Sequence, residues 1–232
     1  MIKLKWIPLL LAGAALLTSA QVQKPAAPPP PFILDHTAVE QFNETFTAGD
    51  FAGAADILNT QKPALIAALA RPGDAAEWMA KLVRAEYHSG DFASMRSAVN
   101  ALKKSGSPLA GEAAVYELLA QMDEGKAAVV TAALPNVTLS DCAAAEMVYA
   151  RAAVESGDHK TALRHLARLG AFHYRETDWL PPALYHESLI YRQTGAAKAE
   201  QFTVRELKAS DPSGRWHQKA VEELKKFEQQ EG

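Results

Sequence analysis

Apolar residues recur at intervals of three and four along much of the chain. After Gly90 they are Phe92, Met95, Val99 and Leu102. This spacing places them on one face of an α-helix, because a helix completes a turn every 3.6 residues. Segments that alternate apolar and polar residues, as a half-buried strand does, are absent from the sequence, so the pattern predicts an all-α protein. The helical spacing recurs at Ala162, Leu166 and Leu169, and at Trp216, Ala220, Leu224 and Phe227.

A glycine followed by a polar or small residue separates the helical stretches five times. The glycines are Gly49, Gly90, Gly125, Gly157 and Gly195, and the first, second and fourth precede an aspartate. Glycine ends a helix readily because it adopts the left-handed backbone conformation without a Cβ penalty. The aspartate carboxylate can cap the next helix by accepting from its free backbone N–H groups. Each Gly-Asp pair therefore predicts a turn short enough to make two helices antiparallel neighbours.

The helices predicted on this basis form an α-solenoid of about five antiparallel hairpins within residues 34–230. A further helix over residues 214–229, with Lys and Glu on one side, is predicted to cap the last apolar face of the stack. Most prolines fall between the helices, where proline is tolerated. The predicted pairs are 35–48 with 50–60, 74–88 with 91–104, 108–123 with 126–134, 141–156 with 158–169, and 181–193 with 196–209.

The N-terminus has the three-part layout of a secretory signal peptide. A short cationic region precedes an apolar stretch from Trp6 to Leu17, and small residues follow it up to Ala20. The alternative is an uncleaved membrane anchor, but a spanning helix needs about 20 apolar residues. This stretch is shorter and contains Pro8. Residues 1–20 are therefore predicted to be removed on export, which indicates a periplasmic or secreted protein.

Residues 21–33 follow as a proline-rich linker, in which the stretch up to Pro31 is typical of the polyproline conformation. The alternative, a ligand for a proline-binding module, is disfavoured because such modules are mostly intracellular and eukaryotic. Cys142 is the only cysteine. It is too far from the signal peptide to accept a lipid, and it cannot form an internal disulfide. No motif pairs Cys142 with a base, so we expect a small core residue rather than a nucleophile.

Composition and charge restrict the classes of function. Hydrophobic residues make up 48% and charged residues 22%, which is typical of a globular protein and argues against wholesale disorder. The formal net charge is −3 for the whole chain and −5 without residues 1–20. This mildly acidic balance makes binding of nucleic acid or of an anionic membrane surface unexpected. No stable membrane insertion is expected after cleavage of the signal.

The pattern resembles the tetratricopeptide repeat, a helix pair that recurs about every 34 residues. Tyr191 lies four residues before its turn glycine and Pro212 lies seventeen after it, where the family has a tyrosine and a closing proline. Small residues stand where the family packs its two helices closely, at Ala54, Ala150, Ala162 and Ser188, and large apolar residues stand nine after the glycines, at Leu58, Val99, Leu134, Leu166 and Val204.

The resemblance is strongest in the fourth and fifth pairs. In the earlier pairs and at one later position, bulkier or charged residues replace the expected small ones, and the stretch from Phe172 to Leu180 is an insertion. The departing residues are Phe42, Val83, Met95, Leu118, Val130 and Glu200.

In tetratricopeptide proteins the first helices of successive pairs line a concave groove that binds a peptide or a segment of a partner protein. The resemblance implies a binding surface here made of Arg84, Tyr87, His88, Met147, Arg151, Tyr185, Leu189 and Arg192. Arginine and tyrosine are enriched in binding hot spots, and methionine adapts to varied partners. The alternative is a mixed face that simply contacts solvent. The rest of this face would be Asn43, Phe46, Val115, Leu119, Met122 and Val154.

No catalytic, cofactor-binding or metal-binding motif is present in the sequence. His159 and His165 are six residues apart, which puts them on different faces of a helix. The sequence therefore predicts an exported scaffold that binds a protein or peptide partner in the cell envelope. One alternative is an enzyme, or an accessory domain of an envelope enzyme, with a site around His173, Glu176 and Asp178 in the insertion. A third possibility is a helical domain that mainly self-associates.

Overall fold

A computed structural model describes residues 31–71, 73–211 and 213–231, except for the side chains of Leu224 and of residues 227–231. This part of the chain consists mainly of α-helices and contains no strand, only an isolated bridge between Phe32 and Gly73. The all-α prediction is confirmed. The helices are α1 (His36–Thr47), α2 (Phe51–Asn59), α3 (Lys62–Ala68), α4 (Ala75–Ser89), α5 (Phe92–Ser105), α6 (Ala110–Gln121), α7 (Ala127–Ala133), α8 (Ala143–Glu155), α9 (His159–Phe172), α10 (Leu180–Gln193), α11 (Ala197–Ser210) and α12 (Arg215–Glu231).

Several predictions fall outside the described residues. These are the signal peptide over residues 1–20, nearly all of the linker, the closing proline Pro212, and the apolar side chains of Leu224 and Phe227. Among the described residues, none of the helices combines the length and the apolar character that crossing a membrane requires.

All eleven predicted helices are found, with ends within three residues of the expected positions. The periodicity does not predict α3, because Pro63 indicates a break between helices. Pro63 instead lies in the first turn of α3, where its missing N–H costs no intrahelical hydrogen bond. The helical stretch after Gly157 also continues to Phe172, three residues further than expected.

The five turns have the conformation that the sequence predicts. Their glycines all have positive φ, between 70° at Gly195 and 86° at Gly90. The carboxylates of Asp50, Asp91 and Asp158 each accept from the backbone N–H three residues later, at 2.9, 3.0 and 3.0 Å. The turn glycine thus ends one helix and the aspartate caps the next, as expected.

Helices joined by these short turns pack against each other, α1 with α2, α4 with α5, α8 with α9, and α10 with α11. Further contacts join α2 to α4, α5 to α6, α6 to α8 and α9 to α10, while α12 packs on α10 and α11. One apolar core runs through most of the molecule, and a smaller cluster joins Tyr185, Leu207, Trp216 and Ala220. Many alanines of α8 are buried, which lets neighbouring helices approach closely.

The insertion at residues 172–180 connects α9 to α10. Phe172 ends α9, a 3₁₀ turn covers Thr177–Trp179, and Leu180 begins α10 directly afterwards. Asp178 and Trp179 are buried, whereas Phe172 and Tyr174 are 69% and 63% exposed. The end of the insertion therefore packs into the molecule while its beginning stays at the surface.

Candidate functional site

Trp179 of the insertion occupies the face that the resemblance implies is a binding groove. Its side chain is only 1% exposed. The centroid of its ring lies 5.9 Å from that of Tyr87, 4.9 Å from that of His88 and 6.0 Å from that of Tyr116. Burial of a large aromatic side chain against three other rings is strongly favourable. The insertion is thus anchored on α4 and α6.

Asp178 attaches the insertion to α4 through charge. The Arg84 guanidinium donates to both carboxylate oxygens of Asp178, with a Nε–Oδ2 distance of 2.7 Å, and His88 Nε2 lies 2.7 Å from Oδ2. Burial alone would raise the pKa of Asp178, but the close contact with His88 and the hydrogen bonds and charge of Arg84 outweigh it and hold this pKa well below its usual range. Asp178 therefore stays ionised, with both oxygens engaged.

Glu176 and His173 extend this cluster towards solvent. A terminal nitrogen of Arg84 lies 2.9 Å from Glu176 Oε2, and His173 Nδ1 lies 3.3 Å from Glu176 Oε1. The three insertion residues considered for catalysis therefore lie close together. Their contacts hold the insertion in place, because Asp178 and Glu176 both pair with Arg84 of α4.

Most of the eight residues predicted to bind a partner are covered by other parts of the chain. Tyr87, His88, Met147 and Tyr185 are buried. Arg151 lies 2.9 Å from Asp123, whose other oxygen accepts a 3.1 Å hydrogen bond from the hydroxyl of Tyr87. In the last pair Arg192 donates to Glu200, and half-buried Leu189 packs on the smaller apolar cluster. Of the rest of that face, Val115, Leu119 and Met122 are buried, Phe46 and Val154 are half-buried and Asn43 is exposed.

Helix α12 covers the part of this face that belongs to α10. The ring centroids of Trp216 and Tyr185 are 5.4 Å apart, and Lys219 Nζ lies 5.0 Å from the Tyr185 ring. Arg215 donates to the backbone carbonyl of His88. Burial raises the pKa of Tyr185 to about 12. The surface formed by the predicted binding residues is thus largely covered by the chain itself, because the insertion and α12 carry side chains complementary to its arginines and tyrosines.

An open groove remains beside the insertion, made of two adjoining depressions of about 210 and 280 Å³. They share Phe46, Thr47, Thr177 and Asp178. The first, which we call the basic depression, is also lined by Phe42, Asn43, Lys81, Arg84 and Arg175. The second, which we call the mixed depression, is also lined by Phe51, Pro181, Ala209, Ser210, Asp211, Ser213 and Trp216.

The basic depression carries a positive charge. Arg84 is neutralised by Asp178 and Glu176, whereas Lys81 and Arg175 are exposed. Neither forms an ion pair within the described ranges. Lys81 Nζ lies over the Trp78 ring at 3.8 Å, and the Arg175 guanidinium donates to the Tyr174 hydroxyl. These two cations are therefore available to an anionic group that enters from solvent.

Cys142 is buried at the start of α8, which confirms the prediction of a core residue. Burial raises the pKa of its thiol to about 11, so the reactive thiolate is scarce at neutral pH. His165 contacts Glu146 at 2.6 Å, and Arg168 donates to the other oxygen of that carboxylate. Within residues 31–71, 73–211 and 213–231 no group of three or more His, Cys, Asp or Glu side chains is placed to hold a metal ion.

Of the residues that line the basic depression, Arg84 is among the eight predicted from the sequence to bind a partner, whereas Lys81, Arg175 and Thr177 are not. The sequence signal that indicates where the insertion packs is the composition of the insertion itself. An acidic residue beside a tryptophan, in a segment that interrupts the repeats, complements a face rich in arginine and tyrosine.

Comparison with protein-family models, with curated proteins and with solved structures found no match to this chain.

Proposed function

We propose that this chain is an exported, tetratricopeptide-like helical scaffold that binds a segment of another protein in the cell envelope. The observation that carries the proposal is the groove beside the insertion. Its two adjoining depressions lie between the first helix pair, α4 and the turn that joins α11 to α12. The packed helix pairs and their glycine turns support the solenoid, and the N-terminal sequence supports export. The insertion and α12 cover most of the other predicted binding residues, so the partner segment lies in this groove.

The lining residues indicate the chemistry of the segment. Lys81 and Arg175 attract an acidic side chain into the basic depression, while Asn43, Thr47 and Thr177 offer hydrogen-bonding groups around it. Half-buried Phe51 offers an aromatic surface in the mixed depression, beside the buried Pro181 and Trp216. Charge complementarity of this kind mainly fixes the register and the partner, and an aromatic anchor supplies affinity. The proposed ligand is thus an extended segment with an acidic residue close to an apolar one.

Site-specific photo-crosslinking in cells of the source organism tests the proposal. A photoreactive phenylalanine derivative is placed at Thr47, which is exposed and borders both depressions. We expect a discrete adduct whose cross-linked peptide, identified by mass spectrometry, contains Asp or Glu. The same derivative at Ser97, exposed on α5, should not give this adduct. Combining Lys81→Glu with Arg175→Glu should reduce the adduct at least several-fold.

A charge-matched control separates the groove from general electrostatics. Lys104→Glu with Lys160→Glu changes the net charge equally at exposed positions and should leave the adduct unchanged. Equal adducts at Thr47 and Ser97, or equal losses in both double variants, would contradict a specific groove. Export is tested separately, since protein recovered from the envelope should begin at Gln21 and an intact Met1 would contradict cleavage.

A further inference from the structure

A separate cavity of about 250 Å³ lies between α9, the insertion and α10. Most of its wall is apolar, formed by Leu166, Leu169, Trp179, Ala183 and Leu184 among others. Tyr174 and Leu180 also line it and are 63% and 44% exposed, so the cavity opens to solvent between them. Since an apolar cavity of about 150 Å³ is large enough to bind benzene, this one has room for an aromatic ring with a short chain.

Gly170 lines the cavity from within α9, and the backbone does not require a glycine there. Its φ is in the ordinary helical region, and a Cβ atom added to it would meet no other atom within 4 Å. Glycine inside a helix costs about 0.5–1 kcal/mol relative to alanine. Gly170 is itself exposed, so glycine at this position leaves the solvent-facing edge of the cavity uncovered.

Glu187 of α10 provides a carboxylate in the same cavity without a counterion. It is half-buried, and within the described ranges it accepts no hydrogen bond and forms no ion pair. Burial raises its pKa. The other carboxylate in the wall, Glu176, is occupied by Arg84 and His173. The indole N–H of Trp179 is also buried without an acceptor among the described residues.

We propose that this cavity binds a small organic ammonium ion with an apolar body. The ring or alkyl part would pack between the leucines of α9 and α10, and the ammonium group would donate to Glu187. A cation at that point supplies a countercharge that no described residue provides, and it favours the ionised form of the carboxylate. The proposal does not depend on the groove, because the cavity shares only Thr177 with the lining of the groove, and Glu187 and Gly170 lie outside it.

The test is a calorimetric or NMR titration of the purified chain with 2-phenylethylammonium, and with 2-phenylethanol as the neutral probe of similar shape. We expect the ammonium ion to bind at least tenfold more tightly than the alcohol. Glu187→Gln should abolish this preference and leave the two probes equal. Glu117→Gln, on α6 outside the cavity, is the control and should preserve it.

Gly170→Leu tests the location of binding. The Cβ of the added side chain meets no neighbouring residue within 4 Å, the rest of the leucine should obstruct the cavity edge, and leucine favours a helix more than glycine does, so the midpoint of thermal unfolding should not fall. Binding of both probes should be lost in this folded variant. Equal affinity for amine and alcohol in the wild type, no binding of either at millimolar concentration, or unchanged binding in Gly170→Leu would each overturn the proposal.

Discussion

Replacing Asp178 with asparagine tests whether charge holds the insertion on α4. Removing one partner of a buried ion pair costs about 3–5 kcal/mol of unfolding free energy. The Arg84 side chain is 23% exposed and keeps its contact to Glu176, so water and a second carboxylate compensate part of the loss. Asparagine preserves the shape of the side chain and leaves no cavity. We therefore expect a destabilisation of about 3 kcal/mol at pH 7, at the lower end of that range.

The pH dependence of this loss identifies its cause. Folding lowers the pKa of Asp178 below its ordinary value, which is about 3.9 for a free aspartate. The contribution of the carboxylate is therefore complete above about pH 5 and is lost as the pH falls past the free value and through the lowered folded-state pKa. The difference in unfolding free energy between wild type and Asp178→Asn should be constant from pH 8 to pH 5. It should then shrink on further acidification.

Urea unfolding followed by circular dichroism at several pH values measures both quantities. Asp141→Asn serves as the control, because Asp141 is exposed and has no side-chain hydrogen bond or ion pair to another described residue. It should change the free energy of unfolding by no more than about 0.5 kcal/mol. A loss below about 1 kcal/mol for Asp178→Asn, or a difference that grows in acid, would refute the assignment of a buried charge cluster.

Two further predictions concern glycine and cysteine. Gly90→Ala should cost about 1–2 kcal/mol in urea unfolding, because φ is 86° at this turn and a Cβ is disfavoured in the left-handed conformation. Gly170→Ala should instead stabilise α9 by about 0.5–1 kcal/mol, and equal effects at the two positions would contradict this reasoning. Burial raises the pKa of Cys142 to about 11, so 5,5′-dithiobis(2-nitrobenzoic acid) should modify it slowly in the folded protein at pH 8 and quickly in urea. Rapid modification of the folded protein would contradict the buried thiol.

The insertion and α12 cover most of the predicted binding residues, which therefore pack within the molecule. Tyr87 and His88 pack against Trp179, so a partner could contact them only if the insertion moved away. The residues available to a ligand are those at its border, above all Lys81 and Arg175. The sequence predicts the eight residues, Tyr87 and His88 among them, as a binding surface but does not predict that the insertion and α12 cover most of them. Arginines and tyrosines on that surface satisfy an aspartate and a tryptophan of the same chain as well as they would those of a partner.

The sequence by itself determined the helices and their turns. A 3.6-residue apolar period, a glycine in the left-handed conformation and an aspartate cap act within a few residues, so they can be recognised along the chain. Helix α3 is the exception, since a proline in a first turn looks like a break.

Only the tertiary structure decided which of the predicted binding residues are accessible to solvent. Arg84 and Asp178 are 94 residues apart in sequence, and no local pattern records that they meet. The cavity beside Gly170 likewise depends on how far α9 and α10 stand apart, which is set by the packing of whole helices. Local backbone preferences therefore account for the elements, while contacts between distant residues determine the surface that a ligand can reach.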